Sequence, residues 1–158
     1  MKQTRRELLM NALRTSGVVA AASVVGCEFP KEEQLLDEMT LENGERVLLY
    51  GKGWAGAKKI VVCHENGMEE VMQRFGSGFE YIRRQGKDVA HHSRGPLGSG
   101  FVEYNGQRTL YGNGAFDEDA RRIRDESLTV VQETQPRFDS YMAQFHERQS
   151  ELMRLAKP

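Results

Sequence analysis

No apolar run in the chain is long enough to cross a bilayer as a helix, which takes about 20 predominantly apolar residues. Even Leu8–Gly26 is interrupted by Asn11 and Arg14, so a permanent membrane span is not expected. Nor is there an excess of one charge: 22 Lys and Arg stand against 23 Asp and Glu, for a net charge of −1. Without a basic field the electrostatic footprint of a nucleic-acid binder is missing, and no nucleic-acid partner is expected. Cysteine is scarce, with Cys27 and Cys63 alone, and no Cys-x-x-Cys, His-x-x-x-His or His-Glu-x-x-His spacing occurs. That excludes the familiar zinc motifs. A Gly-x-Ser-x-Gly nucleophile elbow is absent too, as are internal repeats and low-complexity tracts.

What is present is concentrated at the amino end. Lys2, Arg5 and Arg6 form a basic region, and after Arg14 come twelve uncharged residues, Thr15–Gly26, mostly Ala, Val, Gly and Ser. This is the pattern of an export signal. Within it, Thr4-Arg5-Arg6-Glu7-Leu8-Leu9 resembles the twin-arginine translocation consensus, with Leu8 where Phe is commoner, and Val24-Val25-Gly26-Cys27 resembles a bacterial lipobox. The resemblance implies passage through the twin-arginine translocase as a folded protein and removal of residues 1–26. Cys27 would then be acylated with fatty chains such as palmitate. The implied location is the cell envelope, lipid-anchored to a membrane and facing the periplasm or the cell exterior. Acyl chains contribute about 0.8 kcal/mol per buried methylene, so a multiply acylated terminus anchors where one chain would not. Glu28 follows the cysteine, which leaves delivery to an outer membrane open. The competing reading is a basic amphipathic helix packing Leu8, Leu9, Ala12 and Leu13 on the body of the protein; Val18–Val25 argues against it by continuing apolar around the whole helix.

If the signal is removed, four basic residues (Lys2, Arg5, Arg6, Arg14) and one acid (Glu7) go with it, and the net charge falls from −1 to −4. With Cys27 acylated, Cys63 is the remaining thiol and an intramolecular disulfide is impossible. Stability must then come from packing. The expected organisation is a cleaved signal at 1–26, a lipidated tether at 27–43 and a single α+β domain at 44–158.

Within the tether, Leu35, Leu36 and Met39 suggest one or two helical turns. Glu45–Tyr50 and Lys58–Cys63 are rich in apolar, β-branched and aromatic residues and predict two strands joined by the Gly-rich loop Gly51–Gly56. Asn66 as a cap, Glu69 three residues on, and Met68, Val71, Met72, Phe75, Phe79 and Ile82 at steps of three and four predict an amphipathic helix at about 67–84. Gly86–Gly100 reads as a long irregular loop. Asn105-Gly106 between Phe101–Tyr104 and Gln107–Tyr111 predicts a type I′ hairpin at 101–111, with Glu103 facing Arg108 and Phe101 facing Leu110. Beyond Phe116, acids at 117–119 and helical apolar spacing predict a helix at about 117–134. Pro136 then starts a second at 136–155. The predicted fold is thus a small antiparallel sheet packed by these helices.

Candidate chemistry is thin. Gly51–Lys59 fails as a phosphate loop, because Ala57 stands where Lys is required. Trp54 amid glycines is a candidate contact for a partner, lipid or sugar, or a lid folded back on the core; Arg94 in the Gly86–Gly100 loop is a second binding candidate. Cys63 and His64, with His91 or His92, offer thiolate and imidazole for a transition metal, although adjacent strand residues face opposite ways. Cys63-His64 adjacency is no evidence of a catalytic dyad. The basic clusters Arg83-Arg84 and Arg121-Arg122-Arg124 could receive an anionic ligand or lipid headgroup; acids such as Asp117, Glu118, Asp119, Asp125 and Glu126 surround the second, which reads as a salt-laced solvent face. The functional expectation is a binding or assembly domain anchored in the envelope, with membrane lipid and an envelope protein as partners. The alternative is a metal-binding or redox-complex subunit, or a small enzyme, built on Cys63, His64, His91 and His92.

Overall fold

The computed structural model describes residues 33–51, 59–112 and 117–156. Arg5, Arg6 and Cys27 in the amino-terminal segment, and Trp54 in the loop after residue 51, lie outside the described residues. Eight strands follow one another: β1 (Gln34–Thr40), β2 (Arg46–Gly51), β3 (Lys59–Cys63), β4 (Glu69–Phe75), β5 (Gly78–Gln85), β6 (Asp88–Arg94), β7 (Gly100–Tyr104) and β8 (Gln107–Tyr111). Each pairs antiparallel with its sequence neighbours in one sheet of order β1 to β8. Among the described residues one helix, α1 (Glu118–Leu155), completes an α+β fold.

The local chemistry of a meander is visible in its turns. Asn105 and Gly106 both have positive φ, 49° and 86°, as a type I′ turn requires. They place Glu103 opposite Arg108 and Phe101 opposite Leu110 as the sequence predicts. The two-residue turns after β4 and β5 each begin with a glycine at φ 59°, Gly76 and Gly86. Gly78 is needed for a second reason: a Cβ there would lie 2.3 Å from the Phe75 ring that crosses it.

Four expectations are corrected. The helix at 67–84 is instead the β4–β5 hairpin. Strand β4 is apolar on both faces, so Val71 and Met72 are consecutive buried residues. Interrupted by the Gly76-Ser77 turn, that pattern imitates a period of 3.6. Asn66 caps no helix; its Oδ1 accepts a hydrogen bond from the Met68 N–H at 2.9 Å, closing an Asx turn before β4. The irregular loop at 86–100 contains β6, which pairs along its length with β5 and β7. Residues 34–40, expected within a tether as helical turns, form edge strand β1, so the sheet begins ahead of residue 44.

The fourth correction concerns Pro136, which interrupts nothing: α1 runs through it for 38 residues. A proline inside a helix removes one backbone hydrogen bond and costs about 3 kcal/mol. Here Pro136 and Gln132, whose carbonyl loses its partner, are both exposed, so water can satisfy the orphan. Val131, Thr134, Phe138 and Phe145 hold the helix to the sheet on either side. Asp117 caps it, accepting from the Ala120 N–H at 2.7 Å.

The helix lies across the strands. Ser127 meets Tyr111 of β8 at 2.9 Å, Phe138 meets Phe79 of β5 edge-on at 5.7 Å, Asp139 meets Arg74 of β4 at 2.7 Å, and Arg148 reaches the Glu38 carbonyl of β1 at 2.9 Å. From residue 127 to 148 a helix rises about 32 Å, which matches the width of eight strands at about 4.8 Å spacing. Beneath it Met39, Val47, Leu49, Ile60, Val62, Met72, Phe79 and Tyr81 form the core. On the opposite face, Leu48, Tyr50, Val61 and Val71 form a second buried cluster with Leu35, Cys63 and Ile82 beside it. Burial on both faces is why β2 and β3 read as continuous apolar runs.

Candidate functional site

Strand alternation decides where the polar groups go. In β4, Glu70 shares a face with Met72 and pairs laterally with Val62, so it points under the helix and is 3% exposed. A buried carboxylate must be fully hydrogen-bonded to remain there. Oε1 accepts from the Tyr81 hydroxyl at 2.5 Å and from Arg137 Nη1 at 3.0 Å. Oε2 accepts from Arg137 Nη2 at 2.7 Å and faces His64 Nε2 at 2.8 Å. The other His64 nitrogen, Nδ1, lies 2.6 Å from Glu45 Oε1. A carboxylate offers only lone pairs, so both His64 contacts are hydrogen bonds when the ring carries two protons.

The balance of forces on Glu70 is clear. Burial alone would raise its pKa, but hydrogen bonds from Arg137, Tyr81 and His64 outweigh that and bring it down from 4.5 to about 2. Burial first, then the bond to Glu70, pushes the Tyr81 hydroxyl well above its usual range. The bidentate contact likewise raises Arg137. Glu45 is held below the ordinary carboxylate range, first by the Asn43 side chain and, against some desolvation, by His64. With a proton on His64 Nε2, all four lone-pair directions of Glu70 are occupied. The group is therefore a fixed negative charge that fastens α1, through Arg137, to the middle of the sheet.

The sequence-predicted residues are dispersed. Cys63 packs with the cluster on the face away from the helix, whereas His64 turns to the helix side toward Glu70. His91 lies opposite Ile82 and Glu103, on the Cys63 face, three strands away; at about 4.8 Å per strand that is roughly 14 Å. Its ring meets Phe101 edge-on at 4.7 Å and its Nε2 is 3.9 Å from Glu80 Oε1. His92 is on the helix face, against the rings of Tyr81 and Tyr104. Burial is the first cause that lowers the pKa of both histidines. His91 Nε2 and His92 Nδ1 are buried without a hydrogen-bond partner among the described residues. Side-chain alternation points the two rings to opposite faces, so they cannot share one ligand atom. Among the described residues no group of three or more His, Cys, Asp or Glu is placed to hold a metal ion. Arg94, expected in a loop, ends β6 opposite Gly100 and is half-buried. Arg124 pairs with Asp125 at 3.0 Å, as the acids around its cluster predict, whereas Arg84 finds Glu69 at 3.0 Å across the β4–β5 hairpin, a partner the sequence reading did not supply.

Sequence reasoning missed Glu70, Arg137, Tyr81 and Glu45. The signal was available only once β4 was recognised as a strand: alternation then puts Glu70 in the same row as Met72, and a charge in an apolar row demands a partner. No protein-family model, curated protein or solved structure matches the chain.

Proposed function

We propose that this chain is a membrane-anchored envelope lipoprotein, exported folded by the twin-arginine pathway, whose α+β domain serves binding or assembly. The observation that carries the reading is the occurrence, in one short segment, of Arg5-Arg6 and of Val24-Val25-Gly26-Cys27 at the separation expected of signal and lipobox. No helix among the described residues is long and apolar enough to cross a membrane, so an anchor at Cys27 is the attachment this reading requires. Cys27 precedes the start of β1 at Gln34 by seven residues, a stretch that spans at most about 25 Å. Acylation there keeps the sheet beside the bilayer.

A binding role is supported over turnover by the way the ionisable groups are used. Glu70 is already engaged by Tyr81 and Arg137 with His64 beside it, and His91 and His92 face opposite ways. The alternative of a metal-carrying or redox subunit needs Cys63, His64 and one of His91 or His92 in one place, and the two histidines of β6 lie three strands from Cys63 and His64. The decisive measurement is the intact mass of the membrane-extracted protein. Cleavage before Cys27 with added acyl mass is expected; an unprocessed form retaining Met1 refutes the reading. A pull-down of the acylated protein from membranes is expected to return a reproducible envelope partner, and a repeatedly empty one refutes the assembly role.

A further inference from the structure

The apolar stripe of α1 continues beyond its last buried residue. Ser127, Val131, Thr134, Phe138 and Phe145 are its buried positions, spaced at four, three, four and seven residues. The same stripe continues through Arg148 to Leu152 and Leu155, one and two turns further on. The Arg148 guanidinium already reaches the edge strand, bonded to the Glu38 carbonyl at 2.9 Å and 3.5 Å from Asp37 Oδ1. The seven residues from 148 to 155 carry the helix about 10 Å further along its axis, and its last turn is exposed. Leu152 is 38% exposed, Leu155 59% and Met153 62%, a cluster of large apolar side chains on one helix tip. Arg154 stands among them, largely exposed and only 4.0 Å-paired with Glu151.

The edge that Arg148 reaches is the edge where the chain leaves for its anchor. Gln34 begins β1, four residues from Glu38 and about 14 Å from it along the strand. A further 10 Å sideways and a layer separation of about 10 Å put the helix tip roughly 20 Å from Gln34, inside the reach of about 25 Å available between Gln34 and Cys27. An acylated Cys27 and the helix tip can thus lie in one plane. We propose that Leu152, Met153 and Leu155 insert into the interfacial region of the bilayer that holds the anchor, with Arg154 at the headgroups, as a second membrane contact. The inference rests on acylation of Cys27. Its physics is that of an interfacial helix, in which apolar side chains bury about 5–10 Å deep and a basic residue meets anionic lipid. Two points of attachment restrict how the domain turns on its tether and fix which sheet edge faces the envelope space.

The test uses the full acylated chain in vesicles of phosphatidylcholine and phosphatidylglycerol with brominated acyl chains. Trp54 is the one tryptophan, so a Trp54→Phe, Met153→Trp double variant reports from the tip alone. We expect its emission to shift to the blue and to be quenched by the bromines, and Leu152→Glu with Leu155→Glu in the same background to abolish both effects while the protein stays anchored. A Trp54→Phe, Ser140→Trp control on the exposed helix surface is expected to remain unquenched. Confirmed acyl mass with no quenching at position 153 overturns this inference and leaves the lipoprotein reading intact. Shielding of position 153 that rises with protein concentration and ignores the bromines assigns the tip to a second copy and also overturns it. Absence of acyl mass overturns the lipoprotein reading and this inference with it.

Discussion

Replacing Arg137 with alanine removes two of the four hydrogen bonds to the Glu70 carboxylate, one to each oxygen, at 3.0 and 2.7 Å. Tyr81 and His64 remain, but a carboxylate that is 3% exposed keeps its desolvation cost and loses its guanidinium. Its folded pKa of about 2, against an ordinary 4.5, corresponds to roughly 3 kcal/mol of stabilisation at about 1.4 kcal/mol per pH unit. Breaking a buried ion pair at one partner costs about 3–5 kcal/mol, and since Arg137 is itself 40% exposed, the lower end applies. We expect Arg137→Ala to lose about 2–3 kcal/mol of unfolding free energy at pH 7, read by urea denaturation. Arg137→Lys keeps the charge without the fork and recovers part of it. The pH dependence follows from the sign of the shift. A carboxylate whose pKa is depressed on folding stabilises fully above its unfolded value and loses that contribution as pH falls through the folded one. The gap between wild type and Arg137→Ala should therefore be widest at neutral pH and narrow as pH falls from 4.5 toward about 2. A gap below about 0.5 kcal/mol at pH 7, the size of an ordinary surface substitution, refutes the clamp. So does a gap that does not change with pH.

Other expectations follow from single positions. Pro136→Ala restores a donor to the exposed Gln132 carbonyl and should raise stability by about 1–3 kcal/mol; a lower urea midpoint would show that the proline is needed where it is. Gly100→Ala sets a Cβ 1.9 Å from the Ser93 carbonyl oxygen and 2.5 Å from the Tyr111 hydroxyl, and should cost about 1–3 kcal/mol, measured the same way; neutrality would mean that β6 and β7 yield there. Arg5→Lys with Arg6→Lys should leave a precursor of full mass in the cytoplasm, and undiminished export would remove the twin-arginine pathway from the account. Cys27→Ala should release the domain from membranes, and continued retention after a high-salt wash would place the anchor elsewhere.

The hairpin at 101–111 was legible because everything that specifies it is local. Asn105-Gly106 sets the turn, and the turn sets the register that brings Arg108 Nε to Glu103 at 2.7 Å. The pair β2 and β3 was legible for a similar reason, since runs such as Ile60-Val61-Val62 have few other homes. The β4–β5 hairpin was not. Its apolar residues satisfy both periods, and which one wins depends on whether an apolar layer covers the second face of β4, a fact about distant segments. Pro136 misled in the same way: its local preference was outweighed by buried contacts on either side of it.

The candidate site shows the division most sharply. The residue types of Cys63, His64, His91 and His92 were plain, but their separation depends on β6 being a strand rather than a loop. Glu70, Tyr81 and Arg137 lie 11 and 67 residues apart from the carboxylate outward, and only the crossing of α1 over β4 brings them together. By itself the sequence determined the α+β class, the turn chemistry and the near balance of charge, and it carries the resemblances on which the proposed location rests, because each depends on neighbours along the chain. The tertiary structure decided strand against helix at 67–84, the continuity of α1, the burial of Glu70 and the exposure of Leu152 and Leu155. Those outcomes depend on which face another element covers, and that information is not stored in any one stretch of residues.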